Sequence, residues 1–184
     1  MSSPGNVGSS ERQRLFCALR LPEAVLDRLA AWQSPALTGG GRIVPRDNLH
    51  ATLAFLGSRP AAEAPAIAAE LAAAAVAAGS IRLRLRRYRE TQSVGMLVFD
   101  DLDGRGGEFA LDVFERLERL GVYEREKRPW LPHVTVLRFR QAPRLEPSLP
   151  DLGEVVPSEA AVYLSVLRPG GAQYVVLESF ALGG

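Results

Sequence analysis

Short apolar runs broken by glycine and proline follow one another along most of the chain, and their spacing changes repeatedly between that of a strand and that of a helix. Residues 14–21, RLFCALRL, have strand character, and Pro22 stands where a helix takes its first residue, so a helix is predicted over 22–32. Gly39, Gly40 and Gly41 make a loop; Ile43 and Val44 then lead into NLHATLAFL at 48–56, a predicted strand closed by Gly57. Between Pro60 and Gly79 an alanine-rich segment sets Ile67, Leu71 and Val76 at helical spacing and predicts the second helix. Residues 81–89 alternate apolar and basic side chains and 95–100 form a short apolar run, two strands expected to pair. Leu111, Phe114, Leu117 and Leu120 recur about once per turn before Gly121, predicting a third helix over 108–120. A strand begins at His133, and runs at 160–168 and 173–180 flank Pro169-Gly170-Gly171, the signature of a hairpin.

Strands and helices interleave, but the paired strands in the middle and the late hairpin argue against a purely parallel sheet, so the fold class is α+β. A chain of 184 residues with 47% hydrophobic and 23% charged residues can bury a core of its own. Residues 12–184 are expected to form one two-lobed domain behind a disordered tail at 1–11, a stretch rich in Ser and Gly with no secretory-signal pattern. The alanine-rich segment is too short and too weakly apolar to cross a bilayer, and the expectation is a soluble, cytoplasmic, monomeric protein with no membrane partner. A formal charge of +1 gives no whole-molecule attraction for polyanions, so a nucleic-acid partner would have to be held locally. Cys17, the only cysteine, excludes an internal disulfide and a cysteine metal cluster.

Candidate chemistry changes this picture more than composition does. The sequence has two histidines, and each is followed at the second position by a threonine: His50-Ala51-Thr52-Leu53 and His133-Val134-Thr135-Val136. With four threonines in the chain, chance would give that pairing at both histidines roughly once in two thousand sequences. On a strand, side chains alternate, so His50 and Thr52 share one face while Leu49, Ala51, Leu53 and Phe55 take the other; His133 and Thr135 are placed in the same way opposite Val134 and Val136. If the two strands lie side by side, the imidazoles face each other across a cleft. A phosphodiester hydrolysis needs such a pair, one group to deprotonate water and one to protonate the departing ribose oxygen, and imidazole titrates near working pH. The threonine hydroxyls can hydrogen-bond non-bridging phosphate oxygens. Two histidines without a third ligand make a poor zinc site, so neither metal nor cofactor is expected.

These motifs and their flanks resemble the two-histidine (2H) phosphoesterase superfamily, and within it the RNA 2′,3′-cyclic phosphodiesterases, also described as 2′-5′ RNA ligase-like proteins. Arg14 to Leu19 with Pro22 resembles the opening strand; Val44-Pro45, Asn48 to Leu53 and Phe55-Leu56-Gly57 the first motif; Pro132 to Val136 with Arg138 the second; and Tyr174 to Leu182 the closing strand. The resemblance implies a pseudo-symmetric fold with mainly antiparallel sheets flanking a central cleft and helices outside. It also implies hydrolysis of a 2′,3′-cyclic phosphate to a 2′-phosphate on RNA termini or short oligonucleotides, with His50 as proton donor and His133 as acceptor. From the residues themselves either imidazole could take either role. The same histidines would serve a ligase joining ends through a 2′-5′ linkage, and a binding module without turnover would keep the pocket.

Arg138 and Arg128 flank the second motif and Arg42 precedes the first, each a candidate grip on phosphate. Phe16 or Tyr174 is a candidate to stack on a base, against the plainer reading of a core aromatic. The arginines at 82, 84, 86 and 89 alternate with apolar residues as on any half-exposed strand.

Overall fold

The computed structural model describes residues 11–183; the tail expected at 1–11 lies, but for Glu11, outside them. Nine strands and three α-helices follow in the order β1 Arg12–Arg20, α1 Glu23–Ala36, β2 Arg42–Ile43, β3 Ala51–Pro60, α2 Ala64–Ala77, β4 Leu83–Glu90, β5 Val94–Asp101, α3 Arg105–Arg119, β6 His133–Arg138, β7 Glu154–Val155, β8 Glu159–Arg168 and β9 Gly171–Ala181. Every strand pairing is antiparallel. The sheets expected on either side of a cleft are the two halves of one sheet, ordered β7-β4-β5-β6-β3-β1-β8-β9, with β2 on β6. The halves join at β3 and β6 through the single register pair Ala51 and Val134. The two His-x-Thr strands are therefore neighbours, and they diverge from this pair.

The main core lies between the sheet and its helices, with Leu15, Leu19, Leu29, Leu71, Leu97, Val134 and Val136 almost wholly buried. The helix α2 packs on α3 and crosses β8 and β9, while α3 lies over β3 and β5. Cys17 points into this core, and burial pushes its thiol up to about 12, which removes it as a nucleophile. A separate small cluster, Phe16, Ala18, Ala161 and Tyr163 with Tyr174 against it, covers the opposite face of the first half-sheet.

Several element bounds differ from the sequence prediction for local reasons. The strand expected from 48 begins at Ala51, because Pro45 opens a 3₁₀ turn over Arg46–Asn48 closed by the Asn48 N–H on the Pro45 carbonyl. The third helix starts at Arg105, three residues early, since the Asp101 carboxylate accepts the Gly106 and Gly107 N–H groups and caps it from the preceding strand. Helical phase holds in part: Ile67, Leu71, Phe114 and Leu117 are buried as expected, whereas Val76 is 68% exposed, Leu111 and Leu120 face outward, and α3 also buries Phe109, Ala110 and Val113.

Two motif strands break alternation, and both breaks aim side chains at the cleft. Opposite β1, Cys17 pairs with Ala54 but Ala18 with Thr52, leaving Leu53 as a bulge; a second bulge falls at Leu56, between the pairs Phe16–Phe55 and Leu15–Gly57. Leu53 and Ala54 are thus both buried, and Phe55, expected on the core face, returns to the side of Thr52 with 50% exposure. In β6 the pairs Thr135–Met96 and Leu137–Gly95 leave Val136 as the bulge, so Val136 and Leu137 are both buried and Arg138 turns to the cleft. The bulges at Leu53 and Val136 each follow their threonine directly, and each returns the fifth residue after the histidine to the cleft face.

Candidate active site

A cavity of about 410 Å³ opens on the cleft face, lined among others by Arg14, Phe16, Arg42, Asn48, His50, Thr52, Phe55, Thr135, Arg138, Arg168 and Tyr174. The sequence candidates His50, Thr52, Thr135, Arg138, Arg42 and Phe16 are thereby brought to one wall. His133 stands at the head of β6, two residues before Thr135, half-buried and outside the cavity lining, near enough for its charge to act on His50. Arg128 is not part of this site: it is exposed, and its guanidinium reaches Glu126 at 3.1 Å.

The two imidazoles are held alike. His50 Nδ1 lies 2.8 Å from the Asn48 carbonyl oxygen, and His133 Nδ1 lies 2.8 Å from that of Leu131, in each case two residues upstream. A carbonyl only accepts, so Nδ1–H is the donor in both rings and Nε2 is left to exchange protons. Thr52 Oγ1 sits 3.0 Å from His50 Nε2, where its hydroxyl donates to the neutral ring. The Asn48 side chain ties this loop to the hairpin, its Nδ2 donating to the Ala172 carbonyl at 2.8 Å and its Oδ1 accepting from the Tyr174 N–H at 3.2 Å. Asn48 thus orients His50 and fixes the cavity wall together. Trp130 does the corresponding work between the halves, its Nε1–H donating to the Thr52 carbonyl at 2.9 Å.

Rings crowd His50: the centroids of Phe16, Tyr174 and Tyr163 lie 4.9, 5.3 and 5.7 Å away. Phe16 in turn stacks on Tyr163 at 4.8 Å with 2° between planes. At 3% exposure Phe16 has no open face for a base; it packs the floor under His50 instead. Burial pushes His50 down to about 4; the Asn48 hydrogen bond opposes this, and the charges of His133 and Arg138 add to it.

That shift makes stability depend on pH. As pH falls through 6.5 the unfolded chain takes up a proton that the folded His50 refuses until about 4, so folding weakens across this window and the loss levels off below it. At 1.36 kcal/mol per unit the loss reaches about 3 kcal/mol at most. Urea midpoints between pH 7 and 4 are expected to fall more steeply for the parent than for His50→Gln; equal slopes would show that His50 is not the group responsible.

Charge completes the site. Arg14, Arg42, Arg138 and Arg168 line the cavity without a carboxylate partner among the described residues. Arg42 donates to the Gly170 carbonyl at 3.1 Å, and Gly171, with φ +122°, leaves room that a Cβ would take from that guanidinium. Arg138 reaches the Tyr174 hydroxyl at 3.4 Å. Among the described residues no acidic side chain lines the cavity, so its charge favours an anion. Sequence reasoning missed Asn48, Arg14, Arg168 and Trp130, whose roles rest on partners distant along the chain.

Comparison with known proteins agrees with this geometry. Residues 19–93, which hold the first motif, match the LigT-like phosphoesterase family model. The RNA 2′,3′-cyclic phosphodiesterase of Thermus thermophilus is 35% identical over 93% of this chain and 91% of its own. Escherichia coli LigT complexed with 3′-AMP superposes with a TM-score of 0.80 at 25% identity, covering 95% of this chain and all of that one. A crystal structure of a Thermus thermophilus protein gives 0.78 at 34% identity, over 93% of this chain and 98% of its own. With both His-x-Thr motifs inside the region shared with these relatives, the chain belongs to the LigT-like family of 2H phosphoesterases.

Proposed function

We propose that this protein hydrolyses the 2′,3′-cyclic phosphate ends of RNA to 2′-phosphates, without a metal, by acid–base catalysis between its two histidines. The observation that carries the reading is the placement of both His-x-Thr motifs on adjacent strands beside one arginine-lined cavity that has no carboxylate among the described residues. The relatives named above support the substrate class: the Thermus protein bears the name of that activity, and the Escherichia coli neighbour was crystallised with a nucleotide.

In this scheme Thr52, Thr135 and Arg138 hold the non-bridging phosphate oxygens. His133 takes a proton from the attacking water through Nε2 as its oxygen bonds to phosphorus. The P–O3′ bond breaks, and His50 delivers a proton from Nε2 to the departing O3′. His50 is neutral at pH 7 in the free protein; a phosphate anion seated beside it favours the charged ring and so draws in the proton the step requires. Four guanidinium groups with no carboxylate also oppose a divalent cation, which supports the metal-free reading. Among the described residues no helix is long and apolar enough to cross a membrane.

The test is turnover of an oligoribonucleotide carrying a 2′,3′-cyclic phosphate in excess EDTA, with the product ester assigned by phosphorus NMR. A 2′-phosphate formed at the rate seen without chelator is expected. A 3′-phosphate, or loss of turnover in EDTA restored by a divalent cation, would overturn the scheme.

A further inference from the structure

The half-sheet beyond His133 carries charge that the acid–base scheme leaves unused. Residues directly opposite each other in an antiparallel ladder share a face. His133 pairs with Val98 and Val98 with Arg87; Thr135 pairs with Met96 and Met96 with Arg89. Arg87 and Arg89 therefore stand on the cleft face in line with the second motif, two strand spacings out from it, about 10 Å at about 4.8 Å each. The row between them, Val134, Leu97 and Tyr88, belongs to the core face. Strict alternation hides this placement, because Arg86 is a bulge between the pairs Leu85–Phe99 and Arg87–Val98 and shifts the phase by one. Both arginines are exposed, and neither has a carboxylate partner among the described residues. Asp100 and Glu154, which share this face through their register with Arg84, are taken by Arg86 at 3.4 Å and Arg82 at 2.6 Å. In the other half of the sheet the corresponding positions, two strands out from Thr52 and Phe55, are Ala161 and Tyr163, both buried in the small ring cluster.

We propose that Arg87 and Arg89 form a track on β4 for the RNA chain upstream of the reacting end, their guanidinium groups meeting backbone phosphodiesters of nucleotides that lie outside the cavity. This rests on the hydrolase reading above. The reacting phosphate closes the 3′ end of the chain, so everything else extends on its 5′ side and a longer RNA has to leave the cavity. Across the first half-sheet the cleft face is filled by Phe16, Tyr163 and Tyr174 packed on one another. Across the second it offers two exposed cations. They are distinct from the four cavity arginines: neither lines the cavity, and β5 separates both from the second motif. A formal charge of +1 gives the whole molecule no pull on a polyanion, whereas unpaired cations gathered on one face supply that pull locally. The planar fork of arginine matches a phosphate with two donors at once. On this face β4 presents arginines and no aromatic ring, so the contact follows the backbone and is indifferent to base sequence.

The experiment measures kcat and KM, against salt concentration, on a nucleoside 2′,3′-cyclic phosphate and on an octaribonucleotide ending in the same cyclic phosphate. The proteins are the parent, the double variant Arg87→Ala/Arg89→Ala, its counterpart Arg87→Lys/Arg89→Lys, and Arg28→Ala/Arg119→Ala, which removes the same charge from exposed positions on the helical side. The parent is expected to favour the octanucleotide through KM. Arg87→Ala/Arg89→Ala should raise its KM on the octanucleotide roughly tenfold at low salt and flatten the logarithmic salt dependence by about 0.7 per lost phosphate contact. The kcat on that substrate and both constants on the nucleoside cyclic phosphate should stay within about twofold, which also certifies the fold; the lysine variant should keep most of the preference. Four outcomes would overturn the track and leave the hydrolase reading standing: a parent without length preference, an unchanged octanucleotide KM, an equal loss in Arg28→Ala/Arg119→Ala, or a parallel loss on both substrates. A folded parent that turns over neither substrate would sink the hydrolase reading, and the track with it.

Discussion

Replacing His133 by alanine is expected to cut kcat on a cyclic-phosphate RNA end by about a thousandfold, within the hundred- to ten-thousandfold that a positioned general acid or base contributes. The ring is half-buried at the head of β6, and its one hydrogen bond is to the Leu131 carbonyl, so its removal leaves Val134 and Val136 in the core and the strand pairing in place. Substrate affinity should change little, because phosphate is gripped by Thr52, Thr135 and Arg138 rather than by the base. His50→Ala should lose a comparable factor. The two losses should be far from additive in the double variant, since an acid without its base no longer completes the step. Single-turnover rates with the protein in excess measure this directly. A His133→Ala protein within tenfold of the parent, folded by circular dichroism, would remove the acid–base pair from the account.

The reason so much of this site was legible lies in local chemistry. Period-two runs marked β1, β3, β6 and the β8–β9 hairpin, and two His-x-Thr spacings marked the strands that meet at Ala51 and Val134. What alternation could not give was the pair of bulges. Strict phase puts Phe55 with Leu53 in the core, yet Leu53 and Ala54 are buried in succession and Phe55 is not, because the register against β1 slips between Cys17 and Ala18. Asn48 carries no signal of its own, since its partners Ala172 and Tyr174 lie more than 120 positions away. Arg14 and Arg168 read as ordinary strand-end arginines until the fold brings them to one cavity without carboxylates among the described residues. Arg128 is the converse case: nearness in sequence to His133 suggested a phosphate contact, and Glu126 holds it instead. Two-residue strands such as β2 and β7 are set by pairing with β6 and β4 and have no period to detect.

The acid and the base can be told apart by a substrate whose leaving group needs no proton. A ribose O3′ leaves poorly as an alkoxide, so loss of the acid should be severe on the natural bond; 4-nitrophenolate leaves unaided, so on a 4-nitrophenyl phosphodiester the acid is dispensable while the base is still required. With His50 as donor, His50→Ala should fall about a thousandfold on the cyclic phosphate yet stay within about tenfold of the parent on the nitrophenyl ester, whereas His133→Ala should fail on both. The opposite pattern would exchange the roles, and that outcome has a physical basis in this site. Burial pushes His50 down to about 4 in the free protein, a neutral ring suited to accept a proton, with Thr52 hydrogen-bonded at its Nε2. For His50 to donate, the substrate anion must first raise its affinity for a proton. A phosphodiester does not itself titrate near neutrality, so His133→Ala protein binding a nucleoside cyclic phosphate at pH 6 should take up close to one proton, read by calorimetry in buffers of different ionisation enthalpy. Binding without proton uptake, together with rescue of His133→Ala on the nitrophenyl ester, would assign His50 as the base.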